Sequence, residues 1–352
     1  MATTQHVSFS TQVLAGPVPA GPDWDIASTL LRAARESHGD PVPILSVLAS
    51  SGQSPPTPGT GQTATLWEFL ATLASLDLAA ARTVEPHLDA AAILAQASIP
   101  WTPRTTWGVY AAEGGTGLRA SARDDARGWT LEGHKPWCSL AGQLDRAVVT
   151  AHVDSGRRAY VVDLRHPGVR TQTGSWASHG LAWIPSEAVD FTAVPAHPVG
   201  PAEWYLQRPG FAVGGVGVAA CWFGGAVGLF RTLYRSARNR EPDQLALAWL
   251  GEADRLLSSA AAMLLDAAGQ ADRETLDLAG AQRVRGHVAE ICERLLATAG
   301  HAMGPGPLGF DPGHARRVAD LGIYLRQHHS SRDDATLGAL LLKDAEGGDG
   351  PW

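Results

Sequence analysis

The apolar positions along this 352-residue chain change their period twice. Between Asp23 and Ser37, the residues Ile26, Leu30, Leu31 and Ala34 keep the three-to-four spacing of an amphipathic helix, and Asp23 or Asp25 can cap it. Ile44–Ser50 is a short apolar run. Ser51–Thr63 (SGQSPPTPGTGQT) has no period and reads as a mobile loop. Thr65–Ala81 and Val84–Ala97, rich in Ala and Leu, predict two helices, with Pro86 in the first turn of the second. Residues 1–22 are polar and rich in Gly and Pro, the composition of a loose arm.

From Pro103 to about Pro198 the texture turns to short β-branched and aromatic runs. Thr106–Ala112, Trp129–Gly133, Arg146–His152, Ala159–Asp163 and Ala188–Phe191 predict strands, separated by turns such as Asp154–Ser155–Gly156 and His166–Pro167–Gly168. No βαβ alternation is present, so the region predicts an antiparallel sandwich or barrel. Long helical periods then return in Phe211–Arg238, Gln244–Gln270, Thr275–Ala299 and Pro312–His329. Breaks fall at Glu241–Pro242–Asp243 and Gly304–Pro305–Gly306–Pro307, and four long helices with short connections predict a bundle. The fold class is therefore α+β and multidomain. A helical N-terminal domain with its arm covers 1–102, a central antiparallel β-domain 103–209 and a C-terminal four-helix bundle 210–345, before a polar tail at 346–352.

Composition narrows the function. Hydrophobic residues make up 45% of the chain, enough for a real core, and the net charge is −7 without a basic tract, which disfavours a nucleic-acid partner. Cys138, Cys221 and Cys292 form neither a disulfide framework nor a CxxC metal site, so no metal is expected and a reducing cytoplasm suits the chain. The N-terminus shows no signal peptide. Phe211–Phe230 is apolar enough to suggest a membrane span, but it carries several glycines and runs straight into Arg231, so it reads as a buried helix.

Two segments carry candidate chemistry. Glu113–Gly114–Gly115–Thr116–Gly117 follows a strand-like run, where glycines let a backbone approach a flat or phosphorylated ligand; an ordinary hairpin turn has the same composition. In Leu131–Ser139, Trp137 and Ser139 stand two apart on a strand, so an indole and a hydroxyl share a face, and a core tryptophan beside a solvated serine has the same spacing. The adjacent His328 and His329 cannot both face one helical site, and a surface pair is the plain reading. His87 lies on a predicted N-terminal helix and is open to either reading.

These segments, in this order, resemble the acyl-CoA dehydrogenase flavoproteins. Val109-Tyr-Ala-Ala-Glu-Gly-Gly-Thr-Gly-Leu118 resembles the family's strand and loop of the form T-E-P-x-A-G-S. Leu131-x-Gly133-x-Lys135-x-Trp137-x-Ser139-x-x-Gly142 resembles its L-x-G-x-K-x-W-I-T-x-x-G strand. The likeness extends to Leu76–Leu88 and to Val189–Val199, and the helix–β–helix order matches across nearly the whole chain.

The resemblance implies FAD as cofactor, with FMN or no cofactor as alternatives. It places the flavin against Val109, Ala111, Ala112, Gly117, Trp137, Cys138 and Ser139, with Leu118 and His87 toward substrate. It implies an acyl substrate such as a CoA thioester, α,β-dehydrogenation with hydride passing to the flavin, and a homodimer or homotetramer in which Phe211–Phe230 is buried between bundles. The chain departs from the family where Arg-x-x-Phe-Gly is expected; it reads Arg238-Asn-Arg-Glu-Pro-Asp-Gln244. Ala319–Asp320 replaces an Arg-Asp pair, and the catalytic glutamate's position falls on His328, which becomes the implied base. Two alternatives share the fold: a flavin-dependent monooxygenase using His87, Ser139 and His328, and a scaffold or partner subunit without cofactor.

Overall fold

The computed structural model describes residues 5–10, 21–114, 117–122, 128–239 and 241–344. An N-terminal helical layer contains α1 (Ala27–Glu36), α2 (Val42–Leu48), α3 (Thr63–Leu76) and α4 (Leu78–Gln96). The short apolar run after α1 is thus a helix. Asp77 separates α3 from α4: its backbone is extended (φ −149°, ψ 121°), and its carboxylate accepts the N–H groups of Ala79 and Ala80 at 2.9 and 3.2 Å. This cap answers free donors at the start of α4. Thr83, where the sequence suggested the break, donates its hydroxyl to the Ala79 carbonyl at 2.8 Å rather than capping, and the helix runs through it. Pro86 consequently lies inside α4 rather than in its first turn, and it removes one N–H from the helical ladder.

Part of the expected loose arm is docked. Val7 N–H donates to Thr72 Oγ1 at 2.9 Å, Phe9 N–H donates to the Glu68 carboxylate at 2.7 Å, and both apolar side chains are buried. Apolar burial decides where polarity suggested disorder. Positions 1–4 and 11–20 of the arm, and the tail 345–352, lie outside the described residues.

The central domain contains β1 (Trp107–Tyr110), β2 (Leu118–Ala122), β3 (Trp129–Ser139), β4 (Arg146–Val153), β5 (Gly156–Asp163), β6 (Val169–Thr171) and β7 (Ser186–Val199). The order β4-β2-β3-β7-β5 returns to β4 and closes a barrel; β1 adds beside β4, and β6 beside β7. The domain is mixed rather than wholly antiparallel. β1 runs parallel to β4 from Trp107↔Arg146, and β2 meets β4 in parallel at Arg119↔His152. The parallel start is pinned just before the two strands, where Thr106 N–H and Oγ1 donate to the Asp145 carboxylate at 2.9 and 2.8 Å. Both faces of β4 are covered. Ala147, Val149 and Ala151 enter the main core with Leu131 and Phe191, whereas Val148 packs outward against Ala90, Ile93 and Leu94 of α4. This two-sided burial makes Ala147–Ala151 buried without a break, Thr150 included, instead of alternating.

The C-terminal helices are α5 (Trp204–Gln207), α6 (Gly210–Arg238), α7 (Gln244–Asp272), α8 (Leu278–Met303), α9 (Pro305–Phe310), α10 (Pro312–Tyr324) and α11 (Ser331–Asp344). The helix expected over 312–329 stops at Tyr324. A 3₁₀ turn, Leu325–Gln327, follows; His328 is extended (φ −91°, ψ 123°), and Ser330 takes a positive φ of 50°. α11 then starts with Asp333 and Asp334 in its first turn, where carboxylates favour the helix dipole.

α6 is long and apolar enough to cross a membrane by length and composition, yet 72% of its apolar window is buried inside the protein. It packs on α3, α4, α7, α8 and α10 of its own chain. Most of its apolar character is therefore answered within the chain. Glycine permits this packing: a Cβ at Gly224 would collide with the Ala71 carbonyl oxygen of α3. Gly224→Ala is expected to cost about 1–3 kcal/mol, read as a lower urea midpoint, because the backbone of α3 must retreat.

Candidate functional site

The polypeptide leaves β1 as an exposed rim, Ala112–Gly114, and Glu113 bolts that rim to the barrel. Lys135 Nζ of β3, only 1% exposed in its side chain, donates to Glu113 Oε1 at 3.0 Å and to Thr150 Oγ1 at 2.9 Å. Arg157 Nη1 lies 2.9 Å from Glu113 Oε1, and His152 Nε2 lies 3.1 Å from Oε2. Burial pushes the Glu113 pKa up, but hydrogen bonds and charge from Lys135 and Arg157 outweigh it and hold the carboxyl below its ordinary value. Burial pulls the Lys135 pKa down, partly offset by Glu113. Gly117 and Gly133 bring the two sides together: Gly133 (φ +118°) leaves no room for a Cβ, which would stand 2.7 Å from the Gly117 carbonyl oxygen. Gly115 and Thr116 lie outside the described residues.

On β3 an extra residue interrupts the register with β7 between Lys135 and Cys138. The bulge puts Trp137 at φ +60° with 59% of the residue exposed, and its indole meets Trp176 edge-on at 6.5 Å. A bulky residue at positive φ is strained, and such strain clusters at ligand sites. Cys138 points inward, fully buried, and burial raises its thiol pKa. Ser139 is buried; its hydroxyl contacts Ser186 Oγ at 2.6 Å and accepts from Arg82 Nη2 at 2.8 Å, while Tyr110 Oη donates to its carbonyl at 3.0 Å. Arg82, Val109, Tyr110 and Ser139 line one crevice of about 10 Å³, room for about one water.

Arg82 comes from α4, where Arg82, Glu85 and Asp89 share one helical face. Its guanidinium also lies over Tyr324, 5.7 Å from the ring centroid. Asp89 pairs with the buried Arg208 at 3.5 Å. Burial pushes Glu85 up to about 8, with Asp89 adding repulsion and Arg82 and Arg285 opposing. Its carboxyl forms no hydrogen bond among the described residues. Arg285 of α8 donates to the Gly215 carbonyl at 2.6 Å and stacks over Trp222, 4.9 Å from the ring centroid.

His328 stands at the edge of this group: Trp222 meets Tyr324 edge-on at 6.3 Å and His328 at 6.4 Å, and the Arg285 charge also acts on it. Among the described residues His328 Nε2 has no hydrogen-bond partner, and Asp333 Oδ2 stands 3.7 Å away. Burial lowers its pKa, with Asp333 opposing. His87 is not brought to the group. It faces Trp24 and Trp101 on the other side of α4, at ring distances of 6.2 and 5.1 Å, and burial drives its pKa to about 3, which keeps it neutral. Leu118 is 0% exposed in the barrel core, which takes its side chain away from any ligand entrance. Val109 and Ala111 are half-buried, and Ala112 is exposed. Among the described residues no three His, Cys, Asp or Glu side chains gather as a metal set.

No family model matches the sequence, and no curated protein matches it. Solved structures do. TdsC of Paenibacillus sp. A11-2, in complex with FMN and indole, superposes with a TM-score of 0.77 at 17% identity, over 91% of this chain and 96% of TdsC. Butyryl-CoA dehydrogenase of Megasphaera elsdenii gives 0.76 at 17%, over 90% and 98%. KijD3, in complex with FMN and a dTDP-amino-keto sugar, gives 0.75 at 18%, over 97% and 98%. The chain has the acyl-CoA dehydrogenase fold. Within that fold Arg82, Glu85, Asp89, Arg208 and Arg285 escaped the sequence reading. A signal existed: three charges at helical spacing in an otherwise Ala- and Leu-rich helix.

A protonated Glu85 makes stability depend on pH. Its folded pKa, about 8, is raised above the ordinary 4.5. The unfolded chain therefore loses its proton first, and stability falls as pH rises across that window. Glu85→Gln, which cannot ionise, should gain stability relative to the wild type between pH 5 and pH 8. Urea unfolding of both proteins at the two pH values checks the sign.

Proposed function

We propose that this chain is a flavin-dependent monooxygenase that takes FMN and acts on a small molecule. One observation carries the reading: among the described residues the side chains on the Ser139 hydroxyl are Arg82 and Ser186, with no carboxylate or imidazole. Dehydrogenation of a thioester needs a base for the α-proton. A guanidinium stays protonated and offers no acceptor. The implied base, His328, is set apart by Tyr324 and Trp222. Beyond Arg82, the buried Glu85 and Arg208 and the partly buried Asp89 make their junction costly ground for an alkyl chain, which cannot hydrogen-bond to them. Oxygen transfer to a substrate requires no such α-proton abstraction.

The residues present fit a flavin. The rim at Ala111 and Ala112 offers backbone, the strained and exposed Trp137 offers a ring face, and Ser139 with Arg82 offers a hydroxyl and a cation for a polar edge. FMN is favoured over FAD because Arg238–Gln244 lacks the Phe-Gly expected to hold the adenylate half. The neighbours TdsC and KijD3 were each solved with FMN. Reduced FMN would supply two electrons to dioxygen, so that one oxygen atom enters the substrate and the other leaves as water. The protein's own part is to hold that ring between the rim and β3, with the Glu113 clamp keeping the rim fixed.

Fluorescence titration is expected to show FMN binding about tenfold or more tighter than FAD. Butyryl-CoA added anaerobically to the FMN complex should leave the flavin absorbance unbleached. Bleaching would move the assignment to dehydrogenation, and absence of binding by either flavin would move it to a cofactor-free scaffold.

A further inference from the structure

We infer that Arg82 is the redox-sensing grip of this site, a cation positioned to hold a flavin's polar edge beside Ser139 and to favour the reduced ring over the oxidised one. The inference rests on the flavin reading above and goes further, assigning the electrostatic control of that flavin to a residue from the N-terminal layer.

Three observations carry it. Arg82 is half-buried, and among the described residues no carboxylate comes within ion-pair distance of it; its hydrogen bond goes instead to Ser139 Oγ at 2.8 Å, an uncharged group. Its other neighbour is the Tyr324 ring face, 5.7 Å away, which also leaves the charge unneutralised. The carboxyl best placed along the helix to neutralise it, Glu85, keeps its proton near neutral pH. A partly desolvated cation without a counter-charge is a standing cost that an anion beside it relieves. A flavin ring that takes up two electrons and one proton carries one negative charge that the oxidised ring lacks. A planar guanidinium can meet both forms through hydrogen bonds, but it gains Coulomb energy only from the second.

The test compares oxidised FMN with dithionite-reduced FMN under anaerobic conditions, titrated into the wild type, Arg82→Met, Arg82→Lys and Ser139→Ala, with circular dichroism to establish folding. Wild type is expected to bind reduced FMN more tightly. Arg82→Met should weaken reduced FMN about tenfold more than oxidised FMN, which lowers the midpoint potential of the bound flavin by about 30 mV for a two-electron couple. Arg82→Lys should lose affinity for both forms yet keep most of the preference, because the charge remains. Equal losses in both redox states for Arg82→Met would make Arg82 a merely structural residue and overturn the inference while leaving the flavin reading intact. If Arg82→Met does not fold, Ser139→Ala decides: it keeps the cation and should keep the preference, and loss of the preference there overturns the inference. A wild type that binds neither form overturns both.

Discussion

Helix α4 is enclosed by all three parts of the molecule, and its burial constrains everything near the site. Its Ala90, Ile93 and Leu94 pack on the outer face of the barrel, while Leu78–Ala81 and Val84 join the core shared with α3 and α6. A helix so enclosed cannot send its charged residues to solvent, so each must be answered by another element or give up its charge. Asp89 is answered by Arg208, Arg82 by Ser139 and Tyr324, and Glu85 by retaining a proton. The helix start is fixed by the same logic. The Asp77 carboxylate caps α4, accepts the Gly39 N–H at 2.7 Å and faces Arg316 of α10 at 3.5 Å, while Arg317 covers the last carbonyls of α3. The candidate site lies where these requirements meet.

The rim before β2 shows how a motif can be both a turn and part of a site. Its glycines suggested a backbone free to approach a ligand. The structure shows a different division of labour, in which Glu113 provides rigidity through Lys135, Thr150, His152 and Arg157, and Gly133 permits close approach of Gly117. A rim fixed from three strands can present backbone groups at a constant separation from β3, which flexible glycines alone could not. The loop after β6 is held comparably: Leu181 N–H donates to the buried Asp320 carboxylate of α10 at 2.6 Å, and the same loop brings Trp176 to Trp137.

Where a local rule applied, the fold was legible. The spacing of Ile26, Leu30, Leu31 and Ala34 found α1, and apolar length found α6, α7 and α8. Strands β2 and β6 were not visible, because Leu118–Ala122 and Val169–Thr171 are short and present few apolar residues, so pairing across the barrel defines them. The same distinction divides the site. Trp137 and Ser139 stand two apart in a recognisable strand and could be singled out, although the bulge that turns Trp137 outward could not be. Arg82 is separated from Ser139 by 57 positions, and no local period connects them. His87 and His328 drew attention through residue type alone. Burial then decided what each can do, and it left His87 neutral between tryptophans.

On the proposed reading, the chemistry open to this fold turns on the protonation behaviour of the group beside Ser139. A carboxylate or imidazole there can take a proton from carbon, and a neighbouring apolar channel can accept an alkyl chain. A guanidinium can do neither: its charge persists at any working pH, and the junction behind it is charged. What it can do is hold negative charge in place, and an oxygen-activating flavin needs that before its substrate reacts. The cation beside Ser139 and the charged side chains behind it are therefore coupled. Arg82, one turn from Glu85, favours a charged carboxyl there, but burial, with Asp89 adding repulsion, outweighs it and keeps Glu85 neutral. That neutrality leaves the Arg82 charge unopposed and available to a ligand.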